Sequence, residues 1–449
     1  MRRALLVFAV LCFGLAVLAY CRVSAMPQAT GYPTASLSLA PNLIARGQYL
    51  ATAADCMPCH TAPGQAPFSG GLVLHTPFGA ISSPNITPDQ TTGIGTWTDQ
   101  QFYAALHEGI APGHSWGIFP HYLYPAMPYT SYTKLSYPDV MAIRAYLDSL
   151  KPVFAPRRPD QLVFPFNQRP TLFAWRLLFF TPGPMKMNPG WDERLKNGAY
   201  LTVALGHCGE CHTPRNFLQA TMADKNLAGA PLEGFFAPNI SSDSDYGVGG
   251  WSPTDLVAYL HEGFSPLGGS AYGPMRTVIE NATSHLKLTD LEDMAAYLLQ
   301  GTPPQVTPPA PEVADAGSSL ARGDKLYSTY CGICHGENGA GFPPAIPNLA
   351  GNHSVTAALP DNVISAVLAG LQGQNIKMPA FGNQLNDQQI ADITNYVRTA
   401  WGNKSVADAT AARVAKRREQ HQRETHQGAW QMMMGRTLCP HNGSNDSHP

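Results

Sequence analysis

Charge is what this chain has least of. Only 13% of its 449 residues are Asp, Glu, Lys or Arg, about half of the roughly 25% usual in soluble proteins. Because 44% of the residues are hydrophobic, that scarcity excludes intrinsic disorder, which needs low hydrophobicity and high charge. A basic excess is also missing. The formal net charge is −2, so there is no electrostatic footprint for nucleic acid. Beyond the first 25 residues no apolar run is long enough to span a bilayer. No phosphate-binding glycine loop, nucleophile elbow or dinucleotide-binding glycine pattern with its acid is found.

Glycine and proline, by contrast, are plentiful at 41 and 40 residues, which argues for many turns and long irregular connections. At roughly 150 residues per domain, the length suggests three domains. The chain opens with Met1-Arg2-Arg3, an apolar run from Ala4 to Tyr20, and Val23-Ser24-Ala25. These are the three parts of a secretory signal. Residues 1–25 are therefore expected to be a signal peptide cleaved after Ala25, with an uncleaved anchor as the alternative. The bulky Tyr20 argues against a lipoprotein site at Cys21. In a Gram-negative bacterium the exported chain would reach the periplasm.

Six of the nine cysteines fall in Cys56-Met57-Pro58-Cys59-His60, Cys208-Gly209-Glu210-Cys211-His212 and Cys331-Gly332-Ile333-Cys334-His335. The pattern C-x-x-C-H reads as covalent haem c attachment. Cysteines three apart on one helical turn share a face and can form thioethers to both vinyl groups of one porphyrin. The following His then lies under the iron. A thioredoxin-like pair does not need the His, and a zinc site needs four ligands in paired clusters. Three copies imply three covalently bound haems c.

The surroundings of the motifs repeat as well. Arg46-Gly47-Gln48-Tyr49-Leu50, Asn197-Gly198-Ala199-Tyr200-Leu201 and Arg322-Gly323-Asp324-Lys325-Leu326 precede them; Pro84-Asn85-Ile86, Pro238-Asn239-Ile240 and Pro347-Asn348-Leu349 follow. Trp97 and Trp251, and His107 and His261, are offset by 154 residues, whereas the haem cysteines are offset by 152. Each unit closes on an apolar run of helical period behind a capping-box-like start: Ser136/Asp139, Thr289/Glu292 and Asn386/Gln389. Gly47, Gly198 and Gly323 would let the first helix of each unit cross the last one closely. A first helix, a haem and a crossing last helix resemble the layout of small monohaem cytochromes c, over residues 42–401. The expected fold is mainly α: three tandem class I cytochrome c-like domains joined by proline-rich linkers.

The sixth iron ligand is sought between each motif and its closing helix. Met127 lies between Ala126 and Pro128, Met275 follows Gly273-Pro274, and Met378 precedes Pro379. A neighbouring proline fixes the backbone of a loop that must hold a sulfur at one point. A haem with His and Met is closed and carries electrons. Met57, Met141 and Met294 read as motif filler and helix core. Duplication explains the repetition of His107 and His261, so a structural or haem-propionate role is favoured there over zinc or acid–base work. Trp97 and Trp251 read as packing or propionate contacts. His75, His114 and His121 receive no assignment, and no catalytic residue is assigned.

The expected organisation is a signal peptide (1–25), domain one (42–150), a linker with a short apolar segment (151–190), domain two (191–300), a proline-rich linker (301–317), domain three (318–402) and a basic tail (403–449). The apolar segment Thr171–Phe180 suits either a membrane interface or packing between domains. The tail, with Lys416-Arg417-Arg418, is read as a loose solvated helix, and Cys439 is left unpaired.

Tyr122-Leu123-Tyr124-Pro125-Ala126-Met127-Pro128-Tyr129, the run from Gly206 to Arg215 and Ala400-Trp401-Gly402-Asn403 resemble the tri-haem cytochrome c subunit of bacterial membrane-bound dehydrogenases. The resemblance implies a subunit on the periplasmic face of the cytoplasmic membrane, touching it peripherally. Its electrons would come from a catalytic partner: a molybdenum aldehyde dehydrogenase, a quinoprotein alcohol dehydrogenase or a flavin-dependent gluconate or sorbitol dehydrogenase. They would pass to ubiquinone, and such complexes have room for a small third subunit. The short stretch from His335 to Met378 and the tail after Lys404 depart from many alcohol dehydrogenase members and tilt the expectation toward aldehyde oxidation. A soluble multihaem carrier and a multihaem peroxidase are the readings from other classes.

Overall fold

The computed structural model describes residues 41–423 apart from 118, 233, 302, 305–314 and 373–376. The expected signal peptide, most of the second linker and the tail beyond residue 423, with Cys439, lie outside the described residues.

The longer helices, in chain order, are α1 (Pro41–Ala53), α2 (Asp99–His107), α3 (Tyr137–Asp148), α4 (Thr171–Phe179), α5 (Glu193–Ala199), α6 (Pro253–Glu262), α7 (Gly273–Asn281), α8 (Leu288–Leu299), α9 (Ala316–Tyr330), α10 (Asp361–Ala369) and α11 (Asp387–Thr399); residues 411–423 form α12. Strands among the described residues make only two- and three-stranded sheets, so the chain is mainly helical.

Three helix crossings set the architecture: α1 on α3, α5 on α8 and α9 on α11. At each, a glycine is required by the closeness of the partner backbone. A Cβ on Gly47 would lie 1.8 Å from the Ala142 carbonyl oxygen, on Gly198 1.9 Å from that of Asp293, and on Gly323 2.2 Å from that of Asp392. The closing helices bury Val140, Leu291 and Ile390 completely, at matching positions. Burying such a side chain contributes about 1.5–3 kcal/mol, which is what holds each crossing shut.

The helix starts follow the sequence in two units and depart from it in the third case. Ser136 accepts from the Asp139 amide at the start of α3, and Asn386 with Gln389 forms a full capping box on α11. For α8, however, the N-cap is Lys287, and Thr289 lies inside the helix. The cap expected at Thr289 is not needed, because the Lys287 amide donates to the Tyr49 hydroxyl of unit one. A side chain distant in sequence satisfies the orphan donor.

Unit two carries one residue more than unit one between its glycine and its first haem cysteine (Gly47 and Cys56 against Gly198 and Cys208). The π-helix Tyr200–Leu205 that continues α5 absorbs it, which is the usual fate of a single insertion in a helix.

The connecting segments are tied down. The strand Gln161–Leu162 of the first linker pairs with Gly79–Ala80 of unit one. Of the two environments expected for α4, packing holds for one face. Leu172, Arg176 and Phe180 are buried, Arg176 donates to the Glu108 carbonyl, and the Trp175 indole donates to the Leu218 carbonyl of unit two. The tail departs from expectation between residues 403 and 423. The Asn395 amide exchanges two hydrogen bonds with Ala409, Asp408 pairs with the fully buried Arg398 at 3.3 Å, Arg413 meets Asp361 and Arg418 meets Asp387. Arg417 is buried against Ser365. This segment is part of unit three rather than a solvated tail, because its basic side chains find carboxylates on α10 and α11.

Candidate functional site

The three C-x-x-C-H runs fold as single helical turns, Cys56–Cys59, Gly209–His212 and Gly332–His335. In each, the His amide donates to the carbonyl of the first cysteine, at 3.1 Å for His60, 3.0 Å for His212 and 2.9 Å for His335. That bond fixes the imidazole one turn below the thiols.

The second anchor of each His is a proline carbonyl. His60 Nδ1 lies 2.8 Å from the Pro84 oxygen, His212 Nδ1 2.7 Å from that of Pro238 and His335 Nδ1 3.1 Å from that of Pro347. A carbonyl only accepts, so Nδ1 carries the hydrogen and Nε2 keeps its lone pair. Burial pushes all three imidazoles below the ordinary His value, against the opposing pull of the carbonyl bond. Each imidazole is therefore held neutral with a fixed tautomer, the state an iron-binding His requires. The Pro-Asn pairs that recur after each motif thus have a role that the sequence repeats did not reveal.

No disulfide joins the six motif cysteines. Burial pushes the Cys56 and Cys208 thiols up to about 12 and that of Cys331 up to about 11. Such thiols are poor thiolate nucleophiles. Among the described residues no cluster of three or more His, Cys, Asp or Glu suits a bare metal ion. The donor set fits haem c: the two thiols of each motif would form its thioethers and the His would supply a nitrogen to its iron.

Met127 and Met275 pack against the buried cluster shared by units one and two, and Met378 against the cluster of unit three. Met127 sits in a turn, its amide donating to the Tyr124 carbonyl at 3.0 Å. Met378 lies in a two-residue strand paired with Leu371. Met275 stands in the first turn of α7 rather than in a loop, since Pro274 is suited to a helix start.

Of the other repeated residues, His107 is buried with its ring stacked on Tyr103 at 4.8 Å; its Nδ1 has no partner. Trp251 stands edge-on to Tyr259 and to His353, with centroids 5.8 and 5.7 Å apart. Two contacts between units were not read from the sequence. Glu210, inside the second motif, accepts from Thr130 and Ser131 just past Met127 and pairs with Arg215. His353 of unit three reaches Asn239 beside the His212 anchor. The position of Glu210 within the motif and that of His353 five residues after Asn348 were the available signals.

Residues 320–401 match the family model described as cytochrome c. Across most of the chain, two cytochrome subunits of dehydrogenases are among the similar curated proteins. The gluconate 2-dehydrogenase cytochrome c subunit of Pantoea cypripedii is 36% identical over 86% of this chain and 92% of its own length. The fructose dehydrogenase cytochrome subunit of Gluconobacter japonicus is 37% identical over 83% and 82%. The chain belongs to the family of dehydrogenase cytochrome c subunits. A dihaem cytochrome c of Cereibacter sphaeroides, 42% identical over 56% of this chain and 84% of its own, shows that part of this cytochrome subunit also occurs as a shorter protein. Membership brings covalently bound haem c and an electron-transfer role.

Proposed function

We propose that the chain is a tri-haem relay in which each unit holds one haem c: Cys56, Cys59 and His60 with Met127; Cys208, Cys211 and His212 with Met275; Cys331, Cys334 and His335 with Met378. The observation that carries this reading is the threefold recurrence of a His at the end of a C-x-x-C-H turn with its Nδ1 fixed by the carbonyl of a proline further along the chain. When bound, haem c supplies a one-electron iron centre. The chain's own residues do the rest. The cysteines tether the macrocycle, the proline carbonyls orient the imidazoles, and the buried residues of the crossing helices exclude water from the site. With His and Met both bound no iron position is open, so the chain has no substrate chemistry of its own.

The relay takes electrons from a catalytic dehydrogenase subunit and delivers them to ubiquinone at the periplasmic face of the cytoplasmic membrane. Among the described residues no helix is long and apolar enough to cross a membrane, which supports peripheral contact. An aldehyde- or alcohol-oxidising partner is the first reading. The gluconate and fructose dehydrogenase relatives favour a second, in which a flavin-dependent enzyme oxidises a sugar or sugar acid. Affinity capture of the chain from its native membrane tests both. Co-isolation of a dehydrogenase that reduces quinone is expected, and its substrate chooses between them. Capture of the chain alone, or strong carbon monoxide binding by the reduced protein, contradicts the relay.

A further inference from the structure

The carbonyls that anchor His212 and His335 belong to Pro238 and Pro347, and the next residue in each case is an asparagine whose own carbonyl is engaged from unit three. His353 Nε2 lies 2.7 Å from the Asn239 oxygen. The neighbouring Asn352, 5% exposed, donates from Nδ2 to the Asn348 oxygen at 2.9 Å. Starting at His212, a continuous path therefore crosses from Nδ1 to the Pro238–Asn239 backbone and on to the His353 ring. From there it follows the backbone to Asn352 and its amide, enters Asn348–Pro347, and ends at His335 Nδ1. Four hydrogen bonds, none longer than 3.1 Å, complete it; every other link is covalent.

The bridge is held from several sides. The His353 amide donates to the Leu267 carbonyl at 2.9 Å, and its ring stands edge-on to Trp251. Asn352 Oδ1 accepts from the Ser354 amide, and Asn348 Nδ2 donates to Pro266 in unit two at 2.8 Å. Gly269 leaves the space that the Asn352 amide fills; a Cβ there would lie 2.1 Å from Nδ2. Nothing comparable in geometry is needed merely to join two domains already connected by the paired hydrogen bonds between Asn362 and Phe236.

We propose that His353 and Asn352 are positioning residues that couple the proximal ligands of units two and three, so that electrons pass between these two haems along this path. The proposal rests on the reading of one haem in each unit. With haems held at these two His, one electron would pass from the reduced group on one side to the oxidised group on the other. No bond is made or broken, and His353 keeps its proton. Partners in the outer shell of a metal-ligating His set its basicity and orientation, and their loss commonly changes metal-site performance by roughly tenfold or more.

The test is made on the full holoprotein, with haem content measured first. Fewer than three haems overturns the underlying reading; three haems let the bridge be judged alone. After flash photoreduction, redistribution between the haems is followed at wavelengths where their absorption spectra differ. In His353→Phe and in Asn352→Asp, exchange between haems two and three should slow by about tenfold, with exchange between haems one and two unchanged. His353→Gln, which restores a donor to Asn239, should recover most of the loss. If His353→Phe does not fold, Asn352→Asp decides by the same criterion. Rates within twofold of wild type in a folded variant, or an equal slowing of both exchanges, overturn the bridge.

Discussion

The Tyr200 hydroxyl of unit two donates to Asp139 of unit one across 2.7 Å. Its counterpart, the Tyr49 hydroxyl of unit one, donates to Asp290 of unit two. Each tyrosine oxygen also accepts the first amide of the helix it faces, Ser136 at 3.0 Å and Lys287 at 3.2 Å. Units one and two are thus joined by a self-complementary contact of the kind found in twofold dimers, here within one chain. Their cores form one buried cluster, while unit three has its own.

Burial, together with the facing carboxylates, holds both phenols well above the ordinary Tyr value. They are donors at any working pH. Tyr200→Phe is expected to destabilise the paired units by about 1.5 kcal/mol, the scale of a hydrogen bond to a charged group, and Tyr49→Phe by a similar amount. Denaturant unfolding monitored by haem absorbance measures both.

Gly323→Ala places a methyl group against the Asp392 carbonyl, 2.2 Å away. Helix α9 must move off α11, at a cost of about 1–3 kcal/mol. The melting temperature of unit three should fall, with units one and two unaffected.

The crossing glycines, the haem motifs and the closing helices were all legible in the sequence, because each is a local pattern that recurs three times. The features missed depend on residues far apart in the chain. Thr289 looked like a cap because nothing nearby showed that Tyr49 would cap α8 in its place. Residues 403–423 looked solvated because Arg413 and Arg418 find their carboxylates at Asp361 and Asp387 only after folding. His353 matched no repeat, since its partner Asn239 lies in another unit.

Asp392 links α9 and α11. Burial works against its ionisation, but Arg322, Ser319 and Gln388 together hold its carboxyl below the ordinary range. A carboxyl depressed in the folded state contributes stability that is present above its unfolded value, about 4, and lost as pH falls through the folded one. Unit three should therefore lose stability on acidification below about pH 4. In Asp392→Asn that part of the pH dependence should vanish, as thermal melts between neutral and acid pH will show.

Arg398 is fully buried and donates to the Val355, Ala357 and Leu359 carbonyls as well as pairing with Asp408. Asp408→Ala removes the countercharge and leaves a buried guanidinium uncompensated, a change that costs about 3–5 kcal/mol. Unfolding of unit three at a lower denaturant concentration, with release of residues 403–423 to protease, is the expected outcome.

The most direct test of the relay is the intact mass of the denatured holoprotein, since thioether-linked haem survives unfolding. The account predicts three haem masses above that of the polypeptide. Replacing both cysteines of any one motif (Cys56 with Cys59, Cys208 with Cys211, or Cys331 with Cys334) should remove one of them. A wild-type chain carrying fewer than three, or a motif whose loss leaves the count unchanged, would contradict it.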